Sequence, residues 1–332
     1  MAILMTPPEG ARKFLATTGW DGADIVPLAG DASFRRYFRV TSDAQRAVLM
    51  DAPPPHEDPR PFIAVAEWLT SVGFQAPHIL AHDLNQGLVL IEDFGDSRMR
   101  EAIDAHPDSE RELYRDVVTL LAQLHREPAM TLPAYDRNAY QREVGLFTQY
   151  YSPAVGLTVD EAGFLAAWDD VLLQVSNDSC AAVTVLRDYH AENIMLIENK
   201  SGIDRLGLLD FQDALAGHPA YDLVSMLQDA RRDVAASIEE EMMAYYLSIA
   251  PASAGFGDIY HILGAQRNTK ILGIFTRLWK RDNKPHYLAF QPRVWRYLER
   301  DLAHPALAPV KHWFDVNIPI AARAAAWSAY AG

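Results

Sequence analysis

A two-lobed α+β fold, with a small β-rich lobe over residues 1–93 and a larger, mainly helical lobe over 94–332, is what the order of elements in this chain predicts. Three observations predict it. Between residues 25 and 91, short runs of β-branched, aromatic and aliphatic residues alternate with turn formers, and one helical stretch lies among them. From Ser109 onward, apolar residues recur mainly at helical spacing. Set into that helical half is one compact stretch, 186–213, that reads strand, loop, strand, turn, strand.

Residues 9–20 make a short amphipathic helix, and Ile25-Val26-Pro27-Leu28 opens the β structure. Gly30-Asp31-Ala32-Ser33 turns the chain into a strand over 34–40, rich in aromatic and β-branched residues, and Ala47-Val48-Leu49-Met50 is the next strand. The proline-rich Ala52-Pro53-Pro54-Pro55-His56 leads into a helix over 59–72, with Phe62, Ala66 and Leu69 on one face and Gly73 as its stop. Gly87-Leu88-Val89-Leu90-Ile91 is a buried strand, left through Glu92-Asp93-Phe94-Gly95 at the lobe boundary. Ser109-Glu110-Arg111-Glu112 has the pattern of a capping box. It heads a core helix with Leu113, Val117, Leu120, Leu121 and Leu124 on one face, and His125 at its end reads as structural. Two helical stretches fall in 131–180, one of them 161–175, and further helices in 222–232, 234–249, 258–279, 293–302 and at the C-terminus.

A length of 332 residues with 49% hydrophobic content suffices for a substantial core. The formal net charge of -14 excludes a general nucleic-acid or anionic-membrane binder, because phosphates would repel the chain. Cys180 is the single cysteine, so an internal disulfide and a multi-cysteine zinc site are excluded, and it reads as a small buried apolar residue. The N-terminus, with Pro7-Pro8 after Met1-Ala2-Ile3-Leu4-Met5, lacks a basic leader, and no apolar run approaches the roughly 18 residues of a membrane span. A cytoplasmic monomer is expected.

The stretch Leu186-Arg187-Asp188-Tyr189-His190-Ala191-Glu192-Asn193 carries the chemistry. Phosphoryl transfer from ATP needs one carboxylate to accept the proton of the attacking hydroxyl, while an amide oxygen and a second carboxylate hold Mg²⁺ against the phosphates. In kinases the first carboxylate and the amide stand as D-x-x-x-x-N, and the second carboxylate follows a short hairpin. Asp188, Asn193 and Asp210 stand in that order, with apolar runs 194–197 and 206–209 on either side of Glu198-Asn199-Lys200-Ser201-Gly202. Asp188 is therefore the candidate base, and Asn193 and Asp210 the candidate metal ligands. The turn at 30–33 stands where a loop covers the ATP phosphates, with Ser33 adding its hydroxyl. Met50 occupies the place of the strand lysine that holds the α- and β-phosphates, so the charge has to come from elsewhere. Strand alternation puts Arg35 or Arg36 on the inner face to supply it. Without that lysine, Glu67 in the following helix reads as solvated or locally paired. Glu92 and Phe94 flank the segment expected to meet adenine.

On these residues the chain resembles the aminoglycoside phosphotransferase and choline kinase family. That family favours H-G-D-x-H-x-x-N and D-[FW]-x-x-[AG]-x-x-x-x-P-x-x-D-[LV]; here Asp188, His190 and Asn193 are followed by Asp210-Phe211 and by Gly217-His218-Pro219-Ala220-Tyr221-Asp222-Leu223. Leu186 and Arg187 depart from the family's His and Gly. The resemblance implies a protein-kinase-like fold, with Asp222 capping its helix or bracing the loop. Residues 30–38, 207–232 and 275–288 resemble most the branch of anomeric kinases for N-acetylmuramate and N-acetylglucosamine. That branch implies phosphorylation of the C1 hydroxyl of an amino sugar, for peptidoglycan recycling. Gln212 and Asp213 then reach the sugar and Tyr189 flanks it, while Arg231 or the cluster Arg277, Lys280 and Arg281 meets the lactyl carboxylate of muramate. Two other readings remain open: a kinase of an aminoglycoside or a choline-like alcohol, and a pseudokinase that binds without turnover, motivated by Met50.

Overall fold

The computed structural model describes residues 6–28, 34–43 and 45–323. In chain order its elements are α1 (Ala11–Thr17), β1 (Asp24–Pro27), β2 (Arg36–Ser42), β3 (Gln45–Asp51), α2 (Arg60–Ser71), β4 (Ile79–Asp83), β5 (Leu88–Glu92), α3 (Met99–Ala105) and α4 (Glu110–Leu124). They continue with α5 (Arg137–Leu146), α6 (Ser152–Ala154), α7 (Glu161–Asn177), β6 (Val183–Val185), β7 (Ile194–Leu196), β8 (Leu206–Leu208) and β9 (Leu215–Gly217). The remaining helices are α8 (Ala220–Leu227), α9 (Ala236–Ile249), α10 (Phe256–Asp282), α11 (Gln291–Leu302) and α12 (Ala308–Asn317). The expected α+β class is what the structure has. No helix among the described residues is long and apolar enough to cross a membrane.

Two compact units emerge, 1–107 with 192–214, and 108–191 with 215–332. The first thus runs past the boundary expected at residue 93 and takes in the β7–β8 hairpin. Backbone bonds explain this: the Leu196 N–H donates to the Ser97 carbonyl at 2.7 Å and the Leu208 N–H to the Gln75 carbonyl at 2.8 Å.

In the first unit five antiparallel strands run in the order β1-β2-β3-β5-β4. Register decides what each face carries. Phe38 pairs with Leu49 and Val40 with Ala47, and these residues pack with Leu88 and Leu90 against Phe14 and Leu15 of α1. Tyr37 pairs with Met50 and Arg39 with Val48, on the opposite face. Strand β4 was not anticipated. It is an edge strand of half-exposed and exposed residues with a break in register between Ile79 and Ala81, and its sequence Ile79-Leu80-Ala81-His82-Asp83 lacks the apolar–polar alternation that marks a half-buried strand.

The second unit is built around α10. The strand before Asp188, β6, pairs with β9 rather than continuing the β7–β8 hairpin. An aromatic core lies beside α10: Phe147 stacks on Tyr151 at 4.8 Å and meets Phe314 at 5.2 Å, and the Trp295 indole N–H donates to the Tyr151 hydroxyl at 2.9 Å. A buried polar layer ties the helices together. Gln228 donates to Asp301 at 3.1 Å, Asn268 to Gln228 at 2.7 Å, and the Tyr260 hydroxyl to Glu239 at 2.9 Å. His125 is buried against the Tyr246 hydroxyl at 2.7 Å, and burial pushes its pKa down to about 3, so it is a neutral structural group as expected. The helix at residue 110 starts differently from expectation, because Ser109 already has helical backbone (φ −81°, ψ −10°) as the last residue of a 3-10 turn.

Cys180 also departs from its expected role as a buried apolar filler. It is half-buried, and its sulfur accepts the Ser253 N–H at 3.3 Å. Asp178, which accepts the Cys180 N–H at 2.8 Å and the Ser253 hydroxyl at 2.6 Å, also lies 3.2 Å from His218 Nε2. Because His218 Nδ1 accepts the Ala220 N–H, Nε2 carries the proton and donates to Asp178; the group is a hydrogen-bonded clasp at the end of α7.

Gly273 lets α10 lie against the C-terminal end of α5, since a Cβ there would stand 2.5 Å from the Leu146 carbonyl carbon. Gly273→Ala is expected to cost about 1–3 kcal/mol, seen as a lower urea midpoint with an unchanged slope.

Candidate active site

The β7–β8 hairpin brings two oxygen ligands to one end of itself. Ile194 pairs with Leu208, and the Leu209 N–H donates to the Asn193 carbonyl at 3.0 Å, so Asn193 and Asp210 flank the same end. Both line a cavity of about 620 Å³ within the first unit. Asp210 has positive φ (58°), an uncommon conformation for a non-glycine residue and one that recurs at functional sites. Gln212 donates to Asp210 Oδ1 at 2.9 Å and so orients the carboxylate. An amide oxygen and a carboxylate are hard ligands of the kind Mg²⁺ takes alongside water and phosphate oxygens, and Asp213 and Glu192 line the same cavity. The donor set fits the expected metal.

Glu92, Asp93, Phe94 and Gly95 also line this cavity. The segment is held from β2 by a residue the sequence did not single out. Arg39 donates to Asp93 through Nε at 2.7 Å and Nη2 at 3.1 Å, to Asp96 through Nη1 at 2.8 Å, and to the Gly95 carbonyl at 3.1 Å. Phe94 lies against β8, where only a glycine fits: a Cβ on Gly207 would meet the Phe94 ring at 2.5 Å. Of the two arginines offered for the missing lysine, Arg35 lines the cavity. Arg36 is turned to the α1 face, where its Nε donates to Asp51 at 2.8 Å, because neighbouring strand residues point oppositely. Glu67 is exposed, as expected. Ser33 lies outside the described residues.

The loop bearing Asp188 belongs to the second unit and hangs on Asp222. That carboxylate, fully buried, accepts the Leu186 N–H at 2.6 Å and the Arg187 N–H at 2.8 Å, so of its two expected roles it has the bracing one. Burial pushes its pKa up to about 7, against the pull of those two donors. Arg187 has φ 71° and pairs with Glu143, which also takes Lys270 at 3.0 Å. Tyr189 departs from its expected place beside a sugar. It is 2% exposed and its hydroxyl donates to the Val117 carbonyl of α4 at 2.8 Å, which anchors the loop to the helix beneath. His190, which burial and the charges of Arg231 and Arg267 keep neutral, accepts from Arg231 Nη1 at 3.2 Å. Asp229 fixes both ends of that contact by accepting the Ala191 N–H at 3.3 Å and the Arg231 N–H at 2.8 Å. Arg231 thus stands beside the loop.

The model of the phosphotransferase enzyme family matches residues 24–256 of the chain. The chain belongs to this family. It is accordingly an ATP-dependent phosphotransferase. It is 35% identical to the N-acetylmuramate/N-acetylglucosamine kinase of Caulobacter vibrioides, covering 96% of this chain and 99% of that protein. It is 38% identical to the protein of the same name from Pseudomonas aeruginosa, covering 89% and 90%. Among solved structures it is similar to a choline/ethanolamine kinase family protein from Mesorhizobium loti, with a TM-score of 0.62, 18% identity and 91% and 96% of the two chains covered. An ADP-bound aminoglycoside phosphotransferase gives a TM-score of 0.58 at 12% identity, with 92% and 99% covered. These two likenesses show that the family's fold is shared.

Two measurements check the site. Arg39→Ala leaves the 3% exposed Asp93 carboxylate without its counter-ion, held only by the Gly95 N–H at 2.8 Å, and a loss of about 2–4 kcal/mol in urea unfolding is expected. Asp222 has a folded pKa above its unfolded value of 3.8, so the stability it contributes is full below pH 3.8 and is lost progressively as pH rises from there through about 7. Asp222→Asn is therefore expected to flatten the decline in unfolding free energy between pH 4 and pH 7. An unchanged slope would show that this carboxyl does not titrate there.

Proposed function

We propose that the protein transfers the γ-phosphoryl group of ATP to the anomeric C1 hydroxyl of N-acetylmuramate, N-acetylglucosamine or both, yielding the sugar 1-phosphate and ADP. The observation that carries this reading is the similarity, over nearly the whole of both chains, to the Caulobacter vibrioides kinase named for these two sugars. Asp188 accepts the proton of the C1 hydroxyl as its oxygen attacks phosphorus. A hemiacetal hydroxyl is more acidic than an ordinary alcohol, so a positioned carboxylate suffices. Asn193 and Asp210 hold Mg²⁺, which when bound neutralises charge on the phosphates. The backbone of 92–95 receives adenine. Gln212, Asp213 and Arg231 serve the sugar, with Gln212 also setting the angle of the Asp210 carboxylate. The protein acts as a cytoplasmic monomer.

Proton-coupled ³¹P and ¹³C NMR of the product tests the acceptor atom, with phosphorus coupling expected at C1. Phosphate at any other carbon overturns the anomeric assignment. A panel of N-acetylhexosamines, choline and aminoglycosides separates this reading from the other kinase readings. Asp188→Ala is expected to lower kcat by about 10²–10⁴-fold with the fold retained. Equal turnover by variant and parent would remove Asp188 as the base, and no turnover of any alcohol by the parent would favour a binding module.

A further inference from the structure

We propose that Arg35, braced by Glu57, replaces the absent strand lysine and binds the phosphate chain of the nucleotide beside Asp210. The proposal rests on the reading of the first unit's cavity as the ATP site, and it names the residue that holds the phosphates there.

Register locates the vacancy. Met50 pairs with Tyr37, which puts it on the cavity face of β3, where its thioether is fully buried and brings no charge. Two residues before Tyr37 on the same face stands Arg35, which lines the cavity with a side chain 11% exposed. Its Nε lies 3.6 Å from Glu57 Oε2, a carboxylate that is itself only 20% exposed. The arrangement keeps the logic of a kinase lysine and its glutamate, a cation steered by an acid behind it, with the cation moved one strand over and the acid moved from α2 into the loop before it.

The cavity places Arg35 with the candidate metal ligand. Arg35, Tyr37 and Asp210 all line it, so the guanidinium and the Asp210 carboxylate face the same space. The other cations lining the cavity are differently disposed. Arg39 is engaged by Asp93 and Asp96, and Arg98, 47% exposed, lies 3.9 Å from Glu101. Among the described residues that line the cavity there is no lysine. A guanidinium suits the task, since its planar fork meets two phosphate oxygens at once and stays charged at any physiological pH.

The test measures equilibrium binding of Mg-ADP and of adenosine by calorimetry, without sugar. Arg35→Ala is expected to weaken Mg-ADP about tenfold or more while adenosine changes less than about twofold, and Arg35→Lys to recover part of the loss. Glu57→Gln is expected to weaken Mg-ADP about threefold or more, and Arg46→Ala, an exposed arginine at the far end of the same hairpin, to leave both ligands unchanged. Undiminished Mg-ADP affinity in Arg35→Ala overturns the proposal. So does an equal loss of both ligands, which would mark a collapsed pocket, or a larger loss in Arg36→Ala. Unchanged affinity in Glu57→Gln removes the brace. A chain that binds Mg-ADP but phosphorylates no amino sugar would sink the proposed function and leave the Arg35 result standing.

Discussion

The loop that carries Asp188 has no regular ladder of its own, and what fixes it is one buried carboxylate. Asp222 satisfies the N–H groups of Leu186 and Arg187, which would otherwise be stranded away from water. Burying an acid so completely is unfavourable, as its raised pKa shows, and two short hydrogen bonds offset only part of the cost. The rest of the loop elaborates that anchor. Tyr189 pins the segment to α4, and the Ser225 hydroxyl donates to the Arg187 carbonyl at 3.1 Å. Arg187 holds positive φ between these restraints, in a conformation its side chain does not favour.

In the first unit the organising constraint is the two-residue period of β2. Even-numbered residues Phe38 and Val40 complete the hydrophobic layer under α1, while odd-numbered Arg35, Tyr37 and Arg39 line the cavity. A shift of one residue would exchange an apolar core for charges, so burial on one face fixes the polar face as well. Arg39 then links β2 to the segment after β5, and the cavity has a wall whose position follows from strand pairing.

Much of this was legible in the chain and some was not. That Asn193 and Asp210 meet at one end of a hairpin was legible because spacing and a turn-rich hairpin are local features, and so were most helices, whose apolar stripes repeat over many residues. Arg39 and Glu57 were not, since an ion pair between a strand and a distant loop leaves no periodic trace. Tyr189 was misjudged because a loop residue beside the candidate base has no pattern to say which way it points, and its contact lies 72 positions back, on Val117. Placing the lobe boundary at 93 failed to foresee that the β7–β8 hairpin would join the first unit, since bonds such as that from Leu208 to Gln75 connect regions far apart in sequence.

The ribosome delivers residues 1–107 first, then 84 residues belonging to the other body, and only afterwards the 192–214 stretch with its amide and acid. During translation the sheet can therefore pair while the cavity beside it still lacks its β7–β8 side. A nascent chain halted before residue 192 would hold the 92–95 wall of the cavity but neither Asn193 nor Asp210, so the cavity is completed late and all at once.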